Sequence, residues 1–140
     1  MRKLDTIVIH YSATPLTTDI GVEEITRWHK ERGFRTIGYH YVVRLDGAIE
    51  YGRSIETVGA HVKGKNTGSI GICYIGGLVD GKGFDTRTDR QKKVLRQLVA
   101  GICNTLQTPL RVVGHNNLAA TQCPGFDVTK ESWPTSLDKV

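Results

Sequence analysis

The segment TIVIHY (6–11) constrains this chain more than any other feature of its sequence. It is apolar and β-branched with no polar alternation, the pattern of a strand buried on both faces. SIGICYI (69–75) repeats that pattern and reads as a second central strand, and LRVVG (110–114) as a short last one leading to His115. Between them the periodicity changes to that of helices. Val94, Leu95, Leu98, Val99, Ile102 and Leu106 form one apolar stripe, which predicts a sheet-covering helix from about Asp89 to Gln107. Thr88 and Gln91 have capping-box spacing at its start. Val22, Ile25, Trp28 and His29 predict an earlier helix that ends near Arg32, with Gly33 beyond it. Trp28 reads as core packing. HYVVRLDGAIEYG (40–52) predicts a β-hairpin whose tight turn takes its positive φ angles at Asp46-Gly47. GGLVDGKG reads as a glycine-rich loop.

Strands interleaved with helices make this an α/β chain, with a central mixed β-sheet flanked by helices; the hairpin makes the sheet mixed. At 140 residues it has the size of a single domain, taken as 1–140, and no repeat or interdomain linker divides it. Beyond about Lys130 periodicity is lost, so residues 131–140 are expected to form a loosely held tail.

Three cysteines, an odd number, argue against a disulfide framework. Cys73 and Cys103 lie in apolar surroundings and read as small core residues. Cys123 stands apart, in the polar loop TQCPG. Five histidines are present. His10 ends a buried strand just before a turn and His115 directly follows the last strand, so both side chains emerge where sheets carry sites. Two imidazoles and a thiolate make a three-ligand set that suits zinc and leaves a fourth position open. Spacing alone keeps a second reading open, an exposed His115 and a free loop thiol.

Four ordered blocks go further. VIHYSAT, EITRWHKERGFRTIGYHYVVRLDGAIEYGR, VGAHVKGKNTGSIGICYIGG and GHNNLAATQCPGFD resemble successive motifs of the N-acetylmuramoyl-L-alanine amidase type 2 family. That family includes phage lysozymes that are amidases and the peptidoglycan-recognition proteins of animals. The blocks run from about residue 6 to residue 127. The resemblance implies the family's fold and one Zn²⁺ per chain, held by His10, His115 and Cys123. It places Tyr39, in GYHY, on the active-site tyrosine. Two residues before the cysteine the phage lysozymes carry lysine; here stands Thr121, as threonine does in the active peptidoglycan-recognition branch. His61, Lys65 and Asn66 fall in the segment that borders the family's substrate groove. His40 is expected on the strand face opposite Tyr39 and outside the site.

The reaction implied is hydrolysis of the amide between N-acetylmuramic acid and L-alanine of peptidoglycan, as by a phage or prophage endolysin. Two alternatives accompany it: a peptidoglycan-binding module without hydrolysis, and a phage lysozyme that also inhibits the phage RNA polymerase. Peptidoglycan is the expected partner and a monomer the expected state. The formal charge of +5 suits an anionic polymer, but the basic residues are scattered, without the stripe or aromatic platform of a nucleic-acid binder. No stretch approaches the roughly 20 apolar residues of a membrane span. The start, MRKLDTIVIHYS, does not read as a signal peptide, so storage in the cytoplasm until release to the wall is expected, with delivery by a secretion system as the other route.

Overall fold

The computed structural model describes residues 1–137. Its main sheet has the order β4-β3-β5-β1-β8, formed by β1 (Thr6–Tyr11), β3 (Tyr41–Val43), β4 (Ile49–Tyr51), β5 (Ser69–Tyr74) and β8 (Arg111–Gly114). β1 runs parallel to β5 on one side and to β8 on the other, and β4 pairs antiparallel with β3. Every residue of β1 and of β5 is buried, as their unbroken apolar patterns require.

Alternation divides these strands between two cores. Ile7 and Ile9 of β1, with Ile70, Ile72 and Tyr74 of β5, face the stripe Val94, Leu95, Val99 and Ile102 of helix α2 (Asp89–Leu106). Leu95 has no exposed surface, and burying such a side chain stabilises the fold by roughly 2 kcal/mol. The Thr88 hydroxyl accepts from the Gln91 amide at 3.0 Å while the Gln91 side chain accepts from the Thr88 amide at 3.0 Å, closing the capping box. On the opposite face, Ile25 of helix α1 (Val22–Glu31) packs with Ile20, Ile37, Val42, Cys73 and Ile75, and Trp28 is half-buried against them. His10 and Cys73 are paired in register across β1 and β5, so both belong to this second face.

Two turns differ from expectation. At 44–48 only Gly47 has positive φ, +88°. The Gly47 amide bonds to the Arg44 carbonyl at 2.9 Å and the Arg44 amide to the Ala48 carbonyl at 2.8 Å, giving a three-residue loop rather than a two-residue turn. The Asp46 carboxylate accepts from the Ala48 amide at 2.9 Å and holds the aspartate in the loop. The paired positive angles occur instead at Asp80 (+50°) and Gly81 (+74°). There the expected glycine-rich loop forms a small hairpin of β6 (Gly77–Val79) and β7 (Lys82–Gly83), which joins β2 (Thr14–Pro15) in a second sheet.

Where a loose tail is expected, residues 131–137 make specific contacts. The nearly buried Arg87 guanidinium binds Asp85 at 2.9 Å and Glu131 at 2.7 Å, and its centre lies 3.4 Å from the centroid of the Phe126 ring. The Trp133 indole donates to the Val128 carbonyl at 2.9 Å, and Trp133 and Leu137 pack on the main core. The rest of that expected tail, 138–140, lies outside the described residues. Among the described residues no helix is long and apolar enough to cross a membrane.

Candidate active site

The site forms where β1 and β8, adjacent and parallel, both end. His10 lies on the second face of β1, and His115 opens a short 3-10 turn directly after β8. The loop that follows returns alongside. The Asn116 amide donates to the Cys123 carbonyl at 2.8 Å, the Tyr74 hydroxyl donates to the Pro124 carbonyl at 2.6 Å, and the Cys123 thiol accepts from the Tyr11 amide at 3.3 Å. The result brings His10, His115 and Cys123 together, with one candidate ligand atom from each within 4.8 Å of the others. His10 Nδ1 lies 3.8 Å from Cys123 Sγ, and the His10 and His115 ring centroids are 4.7 Å apart.

A tetrahedral ion held at about 2.0–2.3 Å separates its ligand atoms by roughly 3–4 Å, so this spacing fits zinc after small side-chain adjustments. The donor chemistry fits as well. Burial first, then the neighbouring His61, His115 and His29, keeps His10 well below the usual imidazole pKa. Burial also lowers His115. Both rings are therefore neutral at pH 7, as metal ligands must be. Burial pushes the Cys123 thiol up to about 12, against the Tyr11 amide, which favours the thiolate. Cys123 is thus protonated in the metal-free protein and would give up its proton on binding a metal.

Tyr39 stands beside this group, its ring centroid 5.0 Å from that of His10 and 5.4 Å from that of His29. Burial holds its phenol well above the usual pKa, so it is protonated at neutral pH and can donate a hydrogen bond. An open cleft of about 480 Å³ is lined by Tyr39, His61 and His115 together with Arg32, Phe34, Lys63 and Asn66. Among the described residues no carboxylate lines it.

The other expected site residues fall in different places. Thr121 is exposed, and its hydroxyl accepts from the Cys123 amide at 3.2 Å, bracing the loop that carries the thiol. The Asn66 side-chain oxygen accepts from the amides of His61 and Val62, each at 2.9 Å, and so shapes the cleft wall. Lys65 lines a separate depression with Asp5 and Arg111, because the turn closed by its amide on the Val62 carbonyl leads it away. His40 is buried outside the ligand group; its Nδ1 accepts from the Gly71 amide at 3.0 Å and its Nε2 meets the Thr57 carbonyl at 2.8 Å. Sequence reasoning missed the direct contact between His10 and His61, and it missed His29, whose Nδ1 accepts from the Gly38 amide at 2.8 Å beneath Tyr39. A histidine on the buried stripe of α1 was the available signal.

Two of these structural histidines make stability depend on pH. Burial foremost lowers both His29 and His40 to about 4. The folded state therefore resists protonation that the unfolded chain accepts from about pH 6.5 downward, so the stability they confer is present above that pH and lost as it falls toward 4. Each is expected to cost roughly 2 kcal/mol by pH 5, before most carboxylates titrate. Urea unfolding in chelator at pH 7 and pH 5 measures it, and equal stability at the two would refute this account.

Comparison with known proteins agrees with this geometry. The model of the family described as N-acetylmuramoyl-L-alanine amidase matches residues 1–126. The endolysin of Klebsiella phage KP32 is 41% identical over 126 residues, covering 89% of this chain and 82% of that protein. Among solved structures, the N-acetylmuramoyl-L-alanine amidase LysC from Clostridium intestinale URNW has a TM-score of 0.77 at 29% identity, covering 90% of this chain and 79% of that one. Drosophila PGRP-LB has a TM-score of 0.80 at 26% identity, covering 96% and 84%. The chain therefore belongs to the N-acetylmuramoyl-L-alanine amidase family, the enzyme class and α/β fold that its four ordered sequence blocks imply.

Proposed function

We propose that this chain is a zinc-dependent endolysin that hydrolyses the amide between N-acetylmuramic acid and L-alanine of peptidoglycan. The observation that carries the reading is the meeting of His10, His115 and Cys123 beside a protonated tyrosine, with His115 and Tyr39 both lining an open cleft. Two neutral imidazoles and one thiolate would hold a single zinc ion and leave one position facing the substrate. Bound there, zinc supplies Lewis acidity, polarising the amide carbonyl and lowering the pKa of water toward about 7.

The protein's own groups do the rest. Tyr39, kept protonated by burial, donates a hydrogen bond to the amide oxygen as negative charge develops on it. Thr121 acts indirectly, through its bond to the Cys123 amide. Arg32 and Lys63, with no carboxylate among the described residues that line the cleft, give it a positive character that suits an acidic stem peptide. Asn66 fixes the wall, while Lys65 has no part in this cleft.

Mass spectrometry of digested sacculi tests the proposal. The expected products are intact glycan strands, whose N-acetylmuramic acid keeps its lactyl group, and free peptides beginning with L-alanine. Products cut between sugars would overturn it. Zinc uptake without any release would favour a binding module instead.

A further inference from the structure

A chain of hydrogen bonds leads inward from the candidate metal ligands to the start of β5. His10 Nε2 lies 2.8 Å from His61 Nδ1, and His61 Nε2 lies 3.2 Å from Ser69 Oγ. The Ser69 hydroxyl lies 2.9 Å from the Lys65 carbonyl oxygen. That last oxygen can only accept, and it sets the direction of every proton before it. Ser69 donates to Lys65, so its oxygen accepts from His61 Nε2–H. A neutral His61 then has a bare Nδ1, and the short contact with His10 is a hydrogen bond only if His10 Nε2–H donates. The lone pair of His10 is thereby left on Nδ1, the nitrogen 3.8 Å from the Cys123 sulfur.

We propose that His61 and Ser69 are positioning residues that fix the tautomer and aim of His10, presenting Nδ1 to the zinc ion. The inference rests on the metal site proposed above, and it concerns what makes that site competent. Were the chain reversed, with both His61 nitrogens protonated or the proton on Nδ1, His10 would carry its own proton on Nδ1 and could not ligate through it.

The surrounding backbone is built to hold the His61 ring in one pose. A Cβ at Gly71 would lie 2.7 Å from His61 Cγ, and one at Gly59 would lie 2.8 Å from His61 Cδ2. Gly71 occupies the middle of a wholly buried strand, where glycine otherwise weakens the sheet. Here it makes room for the ring. The His61 ring meets His10 edge-on, with centroids 4.9 Å apart, and His40 closes its other side at 5.9 Å. Groups that orient a ligating histidine through its second nitrogen raise metal affinity, and their loss costs about 10–100-fold.

Zinc affinity, measured by competition with a chromophoric chelator, separates this role from packing. His61→Ala removes the acceptor and is expected to weaken binding by about 10–100-fold. His61→Asn places an amide oxygen where Nδ1 was, so it accepts the same proton and is expected to stay within about 3-fold of the native protein. Ser69→Ala, which frees the His61 proton to occupy either nitrogen, is expected to fall between. Native affinity in His61→Ala, or no recovery in His61→Asn, would overturn the proposal. Nitrogen-15 NMR of the zinc-free native protein provides a second readout that needs no variant to fold. The His10 proton is expected on Nε2, and finding it on Nδ1 overturns the relay. If the native protein takes up no zinc, the metal centre fails while the nitrogen spectrum still decides the relay.

Discussion

Cys123→Ala is expected to abolish zinc uptake at the site and with it the release of stem peptides from sacculi. The thiol is the only anionic donor of the set, and without it two neutral imidazoles remain, too few to hold zinc firmly. Lewis-acid stabilisation is worth several kcal/mol of barrier, and at tenfold per 1.4 kcal/mol its loss amounts to a drop on the order of 10³-fold or more. The fold should survive. What the substitution removes locally is the acceptor for the buried Tyr11 amide and one small core contact, at a cost of about 1–3 kcal/mol. Metal analysis and the sacculus digest, run together on both proteins, check this. Undiminished hydrolysis by Cys123→Ala would sink the zinc mechanism.

Tyr39→Phe is expected to reduce kcat by about 10²–10³-fold while zinc binding is retained. The substitution keeps the ring that packs between His10 and His29 and on the second core cluster, and removes only the hydroxyl. Because burial holds that phenol well above its usual pKa, the lost group is a hydrogen-bond donor and not a base. The rate and the metal content must therefore separate. Unchanged kcat would remove Tyr39 from the mechanism. Loss of zinc in step with activity would make the tyrosine a support for the ligands.

Several elements were legible in the sequence for a common reason, that their signal is local. β1, β5 and β8 stand where unbroken apolar runs placed them, and α2 starts at the cap formed by Thr88 and Gln91. Turn chemistry was less legible. Asp46-Gly47 and Asp80-Gly81 are the same dipeptide, yet only the second adopts paired positive angles. At the first, the Arg44–Ala48 pairing fixes a longer loop. The tail lacks periodicity because its contacts are single anchors, such as Glu131 on Arg87 and Trp133 on Val128, which leave no repeating pattern.

For the site, spacing alone left a ligand set and a free loop thiol equally open, and the ordered motifs pointed to His10, His115, Cys123 and Tyr39. The sequence by itself thus determined the three central strands, the long helix and the family, while the small second sheet of β2, β6 and β7 escaped it. It also named His10, His115 and Cys123 as candidate ligands. Only the tertiary structure decided which of them meet. β1 lies between β5 and β8, so the ends of strands far apart in the chain become neighbours and carry His10, His115 and Cys123 into one group. The same sheet order puts Ser69 and Gly71 beneath His61 and brings His61 against His10, a partner 51 residues away. Local patterning records which face a residue buries and nothing of what it will face, because that depends on strand order, and strand order is set by packing of the whole chain.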